Sequence, residues 1–406
     1  MVGVAVTVAG TRMRAGSPAG NRGAPVPHGS GVRCRRPGTP PPPTADLTTA
    51  RRVPESAVAL TLHIDTARWR GHQEAVLERL PGLVPVCKGN GYGFGLDRLA
   101  REATRLGAGL LAVGTVHEAL RVQDVFEGDL LVLTPHHRHE ARLPLHERVI
   151  RTLSTVDDPG AHGLAGARVV VKLMSSMRRH GVHPRDLHRV RTALRNWQFE
   201  GFSIHLPLDR PAGAGGVGEI VAWMDRLRAA GLPRHTLFVS HLSAGELARL
   251  RERFPRTAFR PRVGTGLWLG DPKATQYRST VLDVVDVARG ERFGVRQRPA
   301  PADGHLAVVA GGTSHGIGLS APRLLHGARQ RARHIAGIGY ALANRHLSPF
   351  VRDGRRYRFA EPPDVAESVL FIPAGRTRPV PGESLVAQLR YTITRPDRVV
   401  DAPHGL

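Results

Sequence analysis

The segment with the clearest chemical potential is VCKGNGYGFG at positions 86–95, which places Lys88 directly after a short apolar run. A glycine-rich turn carrying Tyr92 follows the lysine. A lysine at the carboxyl end of a buried parallel strand points into the pocket where such strands end, and burial lowers the pKa of its amine. The neutral amine is the form that attacks a carbonyl carbon. On spacing alone, the alternative is a lysine at the rim of the strands without a chemical role, followed by a turn whose backbone conformation requires glycine.

Lysine is scarce in this chain, which bears on the interpretation of Lys88. Only Lys88, Lys172 and Lys273 are lysines among the 58 basic residues, so arginine supplies nearly all of the positive charge. A bias toward arginine retains lysine where arginine cannot replace it, and only a primary amine condenses with an aldehyde cofactor. The alternative is that three lysines remain by chance.

From Val58 onward, short apolar runs alternate with stretches whose apolar residues recur at helical spacing. Such runs are typical of parallel strands that are covered on both faces. Eight of these units in about 210 residues predict a closed (β/α)₈ barrel. An open doubly wound sheet is the alternative, but the GxGxxG turn that would favour it is absent after the first strand. The predicted strands are 83–88, 110–114, 129–134, 149–155, 168–174, 199–206, 236–242 and 258–264.

Two regions depart from this α/β pattern. Residues 1–54 are rich in Gly, Pro, Arg and Thr, cannot bury enough apolar surface to offset their ordering entropy, and are predicted to be disordered. Residues 285–406 contain short strands without long helices, punctuated by turn residues, and predict a smaller, mostly β domain. The barrel is therefore expected to span residues 55–284. The segment 58–65 is a further strand that is expected to pair with the second domain.

Composition argues against several classes of protein. The formal net charge is +24, but the arginines are scattered and no zinc spacing, basic zipper or aromatic-interleaved basic motif appears, so nucleic acid is not an expected partner. No apolar run is long enough to span a membrane, and the first ten residues lack the basic region of an export signal. Scattered histidines, including His136 and His137, lack metal spacing. Of two cysteines, Cys34 lies in the predicted disordered segment, so no disulfide is expected and a reducing cytoplasm fits.

At this point five motifs, in order, carry a resemblance to one known family. VCKGNGYGFG (86–95) resembles the signature around the pyridoxal-phosphate lysine of the alanine racemase family. KLMSSMRRHG (172–181) resembles the family's motif on strand five of the barrel, and GFSIHL (201–206) its histidine-bearing strand six. VSHLSAGEL (239–247) resembles the segment with a phosphate-contacting serine, and RPRVGTGLWLG (260–270) the run after strand eight.

This resemblance, over about residues 58–275, implies a set of cofactor contacts. Lys88 would hold pyridoxal 5′-phosphate as a Schiff base and act as one of two catalytic bases. Tyr92, Ser243 and the backbone N–H groups of Gly264 and Thr265 would bind the phosphate. The resemblance also implies a homodimer in which each second domain covers the partner's barrel mouth. Ser243 also fits a helix N-cap, a role compatible with phosphate contact.

The resemblance implies further residues around the cofactor ring. Arg262 would face the pyridine nitrogen and keep it unprotonated, because an arginine does not give up its proton. His205 would orient Arg262, the alternative being a satisfied core histidine. Arg179 would reach the cofactor's phenolic oxygen or the substrate carboxylate and take part in catalysis. Lys172 matches a position that is carbamylated in some members of the family.

One motif departs from the family pattern. The family's second domain carries a catalytic tyrosine in a Gly-Tyr-small-Asp-Gly motif, and the best match here is GGTSHG, with Thr313 in the place of the tyrosine. A threonine hydroxyl cannot act as a base near neutral pH. His315, in the place of the aspartate, is the candidate replacement base, the alternative being a turn residue. The family's later Met-x-Asp motif is not visible either.

Four functions remain open at this stage. The leading hypothesis is a pyridoxal-phosphate-dependent amino-acid racemase or epimerase, acting on alanine or a related amino acid, with an altered second base. The others are a decarboxylase or aldolase on the same scaffold, a non-catalytic cofactor-binding protein, and a basic nucleic-acid-binding protein. Cofactor colour separates the last from the others, and exchange of the substrate α-proton separates the first from the rest.

Overall fold

The structure is a computed structural model that describes residues 58–140, 143–156, 164–210, 215–320, 327–342, 345–402 and 406. The segment 1–54, which the sequence predicts to be disordered, lies outside the described residues. The described chain forms a barrel and a second sheet. The first strand, β1 (Leu60–Ile64), belongs to the second sheet.

The barrel is closed and its eight strands follow one another in chain order. Neighbouring strands are parallel, and the first strand pairs with the last to close the ring, with Val84 opposite Arg262. This confirms the predicted barrel. Its strands are β2 (Val84–Cys87), β3 (Leu110–Val113), β4 (Asp129–Pro135), β5 (Val149–Leu153), β6 (Arg168–Lys172), β7 (Gln198–Ser203), β8 (Thr236–Val239) and β9 (Ala258–Val263).

Alternation along the strands explains why these short segments close. Side chains two residues apart, such as those of Val84 and Val86 or Leu110 and Ala112, belong to one buried cluster, as expected for the interior of a small barrel. The intervening residues pack outward against the helices. The helices are α1 (Thr66–Arg79), α2 (Leu96–Arg105), α3 (Val116–Val122), α4 (Leu187–Ala193), α5 (Gly216–Ala229), α6 (Ala244–Arg253) and the single turn α7 (Thr265–Trp268).

The second sheet has eight strands. Their order is β13 (Gly304–Ala310), β16 (Glu367–Pro373), β15 (Arg355–Phe359), β14 (Leu347–Arg352), β17 (Ser384–Ala387), β10 (Thr275–Val287), β1 and β18 (Arg398–Asp401). As predicted, the strand that precedes the barrel joins it: β1 runs antiparallel to β10 and parallel to β18. The boundary expected between residues 284 and 285 falls inside β10. A separate hairpin is formed by β11 (Arg292–Phe293) and β12 (Arg298–Pro299).

The second domain also contains a helix that the sequence interpretation did not include, α8 (Gly327–Leu342). Its apolar residues Ile335, Ile338 and Leu342 are exposed. Within the part of the chain that the structure describes, no helix is both long and apolar enough to cross a membrane.

The two domains meet at the glycine-rich turn after β2. Asn90 Nδ2 donates to the carbonyl oxygens of Tyr391 and Thr394, at 2.8 and 2.6 Å. At Gly93, φ is +91°, and a Cβ atom there would lie 2.3 Å from the hydroxyl oxygen of Tyr277. Only glycine fits both this conformation and this contact. The second domain therefore holds in place the turn that follows Lys88.

Candidate active site

A cavity of about 560 Å³ opens at the carboxyl ends of the barrel strands. It is strongly cationic, and no Asp or Glu of the described chain lines it. Tyr92, Gly264 and Thr265 line it too, and Thr392 is contributed by the second domain. Its basic and histidine side chains are Lys88, Lys172, Arg179, His180, His205, His241 and Arg262.

Lys88 follows β2 directly and its side chain is open to the cavity. Burial by the cavity walls and the nearby Arg179 lower the pKa of its amine, and Glu118 partly opposes this. Glu118 also accepts hydrogen bonds from the backbone N–H groups of Gly89 and Gly114, at 2.9 and 2.6 Å. It thereby ties the turn after β2 to the end of β3. Sequence reasoning missed Glu118, whose visible signal is the capping box that it forms with Thr115.

Tyr92 bridges the first and last strands of the barrel. Its φ of +54° is rare for a residue with a side chain, and such strain often marks a functional position. The phenol is buried, which raises its pKa, so it remains a neutral hydrogen-bonding group. Its hydroxyl lies beside Gly264 at the end of β9, so close that a Cβ atom there would stand 2.0 Å from the oxygen.

Arg262, Ser240 and His205 form a hydrogen-bonded chain on the floor of the cavity. Arg262 Nη2 donates to Ser240 Oγ at 3.0 Å and to the carbonyl oxygen of Ile204 at 2.9 Å. Ser240 Oγ lies 2.8 Å from His205 Nδ1. Burial and the charge of Arg262 lower the pKa of His205 to about 3, so the ring is neutral at pH 7.

Arg262 keeps its charge despite its surroundings. Burial lowers the pKa of the guanidinium to about 10, which still leaves it protonated at neutral pH. Its Nε–H is buried and has no hydrogen-bond partner in the described chain. A buried donor without a partner is costly, so this N–H is a candidate contact for a bound group.

Lys172 and Arg179 supply further positive charge to the cavity. Lys172 ends β6, and burial, with the charges of Arg262 and Arg179, lowers the pKa of its amine to about 8. Arg179 is exposed to the cavity. Two histidines that sequence reasoning did not select, His180 and His241, also line the cavity, with φ values of +55° and +59°. Their strained backbone was not readable from residue types.

Ser243 lies apart from this group. It is exposed and caps α6, where its hydroxyl accepts from the N–H of Glu246 and donates to the carboxylate of Glu246 at 2.9 Å. It is not among the residues that line the cavity. Thr265, by contrast, lines the cavity as the first residue of α7.

Thr313 and His315 lie in a turn of the second domain that packs against residues 393–397. His315 Nε2 lies 3.0 Å from Asp397 Oδ1, and His315 Nδ1 accepts from the N–H of Gly312 at 3.1 Å. Asp397 in turn accepts from the N–H of Leu60. Both ring nitrogens are thus engaged within the chain. Among the described residues, no group of three His, Cys, Asp or Glu side chains could hold a metal ion.

The residues of the cavity fit a cofactor with an aldehyde, a pyridine ring and a phosphate. Lys88 offers a primary amine of lowered pKa, and Arg262 a buried N–H without a partner. Tyr92 and the backbone at Gly264 form a narrow polar corner that a Cβ atom would fill. The cationic lining complements a dianionic phosphate.

The closed barrel followed by a β domain is the fold of the alanine-racemase class of proteins. The family model for the alanine racemase N-terminal domain matches residues 64–272, just over half of the chain, and the chain belongs to this family. This confirms the resemblance seen in the sequence motifs.

Individual relatives are similar at modest identity. The chain is 33% identical over 152 residues to an alanine racemase of Streptomyces coelicolor, covering 34% of this chain and 38% of the relative. It is 28% identical over 264 residues to one of Corynebacterium efficiens, covering 58% and 69%. The chain thus spans only about a third of the length of the first curated relatives that it matches.

The fold is similar to that of solved alanine racemases over almost their whole length. The structure of the Bacillus anthracis enzyme, described with bound L-Ala-P, matches with a TM-score of 0.64 at 16% identity. The match covers 86% of this chain and 97% of that one. At this identity the match shows the fold alone.

Proposed function

We propose that this chain is a pyridoxal-phosphate-dependent amino-acid racemase or epimerase, acting on alanine or a related small amino acid. The observation that carries the proposal is the common cavity of Lys88, Tyr92 and Arg262, with the amine of Lys88 held at a lowered pKa. The cofactor, when bound, supplies an electron-withdrawing ring that makes the α-proton of an amino acid acidic.

The cofactor would be held by residues at both ends of the cavity. Lys88 would bind its aldehyde covalently, and Tyr92 with the backbone N–H groups of Gly264 and Thr265 would bind its phosphate. Arg262, oriented by Ser240 and the neutral His205, would donate to the ring nitrogen. Ser243 joins this set as a second phosphate contact if its cap opens toward the cavity. A permanently protonated donor at that nitrogen limits how much charge the ring accepts, which favours rapid return of the proton.

Lys88 would move the proton on one face of the substrate. Its lowered pKa brings the amine closer to the operating pH, as general base catalysis requires. Arg179 would bind the substrate carboxylate, since it is exposed to the cavity beside Lys172. Both roles use groups that already line the cavity.

Proton transfer on the second face of the substrate needs another base. His315 is the candidate from sequence, but it would first have to release the N–H of Gly312 or the carboxylate of Asp397. We therefore propose that inversion is much slower than exchange of the α-proton. The same observation favours the second candidate, an enzyme of another reaction type, such as a decarboxylase, that needs proton transfer on one face only.

The deciding experiment is incubation of cofactor-loaded protein with a panel of L-amino acids in heavy water. The proposal expects deuterium at the α-carbon and some D-enantiomer by chiral chromatography. Carbon dioxide release without either would favour decarboxylation. A protein that stays colourless in excess pyridoxal phosphate would overturn both functions. We also propose a homodimer in the cytoplasm, and a monomer by sedimentation at micromolar concentration would contradict the dimer.

A further inference from the structure

The second domain contains a larger cavity, of about 720 Å³, that the proposed function does not use. It lies among the hairpin β11–β12, strand β15 and the ends of β14 and β16. Five arginines line it and no Asp or Glu of the described chain does. These arginines are Arg298, Arg345, Arg356, Arg358 and Arg376.

The arginines of this cavity have no counter-charge among the residues that the structure describes. None of the five forms an ion pair with a described residue, and Arg356 donates instead to the side-chain oxygen of Gln388. Glu361, three residues after Arg358, accepts from the N–H of Val295 and does not line the cavity. Four of the five side chains are exposed and only Arg298 is half-buried. Their guanidinium groups are free to bind an anion.

Arginine abundance alone does not explain this arrangement. A second cleft, beside α2, is also lined by five arginines, but Asp97, Glu102 and Asp401 line it too. There Arg105 lies 2.6 Å from Glu102, and Arg98 lies 2.5 Å from Asp401. The chain therefore balances one arginine cluster internally and leaves the other unbalanced.

The floor of the unbalanced cavity is apolar. Phe371 and Ala360 line it and belong to a small buried cluster, against which Phe293 packs. Phe359 and Tyr357 extend this surface, and Pro299, Pro301 and Pro373 add rigid walls. Aromatic walls with a few charged groups are typical of sites for small organic ligands.

We propose that this cavity binds a small organic anion, a phosphate or carboxylate carried on an aromatic or acyl body. The arginine forks match the planar or tetrahedral oxygen groups of such anions, and the aromatic floor matches the apolar body. Phosphate and carboxylate groups both accept paired hydrogen bonds from a guanidinium, so the test includes a ligand of each kind.

The test uses three naphthalene probes on the full chain after pyridoxal phosphate has been fixed to the protein by borohydride reduction and the free cofactor removed by dialysis. The catalytic cavity is then occupied, and no free pyridoxal phosphate competes with the probes. We expect 1-naphthyl phosphate or 1-naphthoate to bind one per chain by equilibrium dialysis, and uncharged 1-naphthol to bind at least about tenfold more weakly, or ~1.4 kcal/mol. The double variant Arg356→Gln/Arg358→Gln should weaken the anionic probe by a similar factor. The single variant Arg376→Gln tests the same site from another segment.

The control is Arg228→Gln/Arg249→Gln, which removes the same charge from exposed positions on α5 and α6. It should leave probe binding unchanged. Equal weakening by control and test variants would mean non-specific attraction to a basic protein, which overturns the proposal. Binding that is present in the cofactor-free protein and lost once the cofactor is fixed would place the probe in the catalytic cavity and overturn the proposal too. So would equal binding of the uncharged probe.

Discussion

The hydroxyl of Tyr92 lies against the backbone of Gly264, and a single methyl group at position 264 would overlap it. This contact joins the turn after the first barrel strand to the end of the last one. It brings together two of the groups proposed to bind the cofactor phosphate. Each of them comes from a different end of the barrel sequence.

Replacing Gly264 with Ala should displace Tyr92 and weaken cofactor binding. Loss of one hydrogen bond to a charged phosphate predicts a decrease in affinity of about tenfold or more. An absorbance titration with pyridoxal phosphate measures it. The matched control is Gly266→Ala, where the new Cβ atom would meet Val263 at an ordinary 3.5 Å. Similar affinities for the two variants would mean that Tyr92 does not contact the phosphate.

Lys88→Arg should abolish covalent attachment of the cofactor while keeping a positive charge in the cavity. A guanidinium does not form a stable bond with the aldehyde under these conditions. Borohydride reduction followed by peptide mapping should find the cofactor on the Lys88 peptide of the wild type and on no peptide of the variant. Lys273→Arg is the control. Label on Lys172 instead would reassign the proposed attachment.

Ser240→Ala and Ser243→Ala should affect different properties, the first the spectrum of the bound cofactor and the second the stability of the fold. Removing Ser240 breaks the link between Arg262 and His205 and should change the absorption spectrum of the bound cofactor, with small loss of stability. Removing Ser243 deletes the cap of α6 and should lower the free energy of unfolding by about 1 kcal/mol with little change in cofactor affinity. Urea unfolding and cofactor titration separate the two. A large loss of cofactor affinity in Ser243→Ala would show that its hydroxyl contacts phosphate.

Because of Lys172, the cofactor-free protein should be more stable at alkaline pH than at neutral pH. Its pKa is lowered from 10.5 to about 8 by burial and by two arginines. Between about pH 8 and pH 10.5 the unfolded chain binds more protons at this site than the folded one, so stability rises with pH in this window. In Lys172→Met this contribution should vanish, and the variant should be more stable than wild type at pH 7. Parallel urea curves for both proteins from pH 7 to 10.5 would contradict the lowered pKa.

His315→Ala should lower stability and leave exchange of the α-proton unchanged. The ring bridges Gly312 and Asp397, and loss of these two hydrogen bonds predicts about 1–3 kcal/mol of destabilisation. We expect wild type to exchange the α-proton mainly with retention of configuration. Selective loss of inversion in His315→Ala, with exchange intact, would instead identify this histidine as the second base. Asp397→Asn serves as the structural comparison.

The barrel and several of the residues that line its cavity could be predicted because their signals are local. Short apolar runs between helical stretches indicate parallel strands, and strand ends indicate where side chains converge. Lys88, Tyr92 and Arg262 follow from motifs within single segments. Ser240 could not be predicted, because its role depends on Arg262 and His205, which come from other strands. The nearby Ser243 offered the stronger local pattern, and that pattern is also the pattern of a helix cap.

The roles of Glu118 and His315 were hidden for a related reason. The carboxylate of Glu118 binds backbone groups of residues 89 and 114, so its partners are set by tertiary structure. His315 looked available because the sequence does not show that Asp397 folds back onto it. Residue 284 lies inside β10, whose first half pairs with β1 and β17 and whose second half pairs with β13, and the sequence does not show this change of partner.

The position of β1 makes the barrel an insertion within the second domain. The chain leaves this sheet after Ile64 and returns to it at Thr275, so the pairing of β1 with β10 closes a loop of about 210 residues. Closing so long a loop is entropically costly unless the intervening residues are already compact. During synthesis, β1 is therefore expected to pair with β10 only after the barrel has folded. A fragment that ends at residue 284 would keep the folded barrel, β1 and most of β10, but these two strands would lack their other partners in the sheet. We expect this fragment to aggregate through the exposed strand edges.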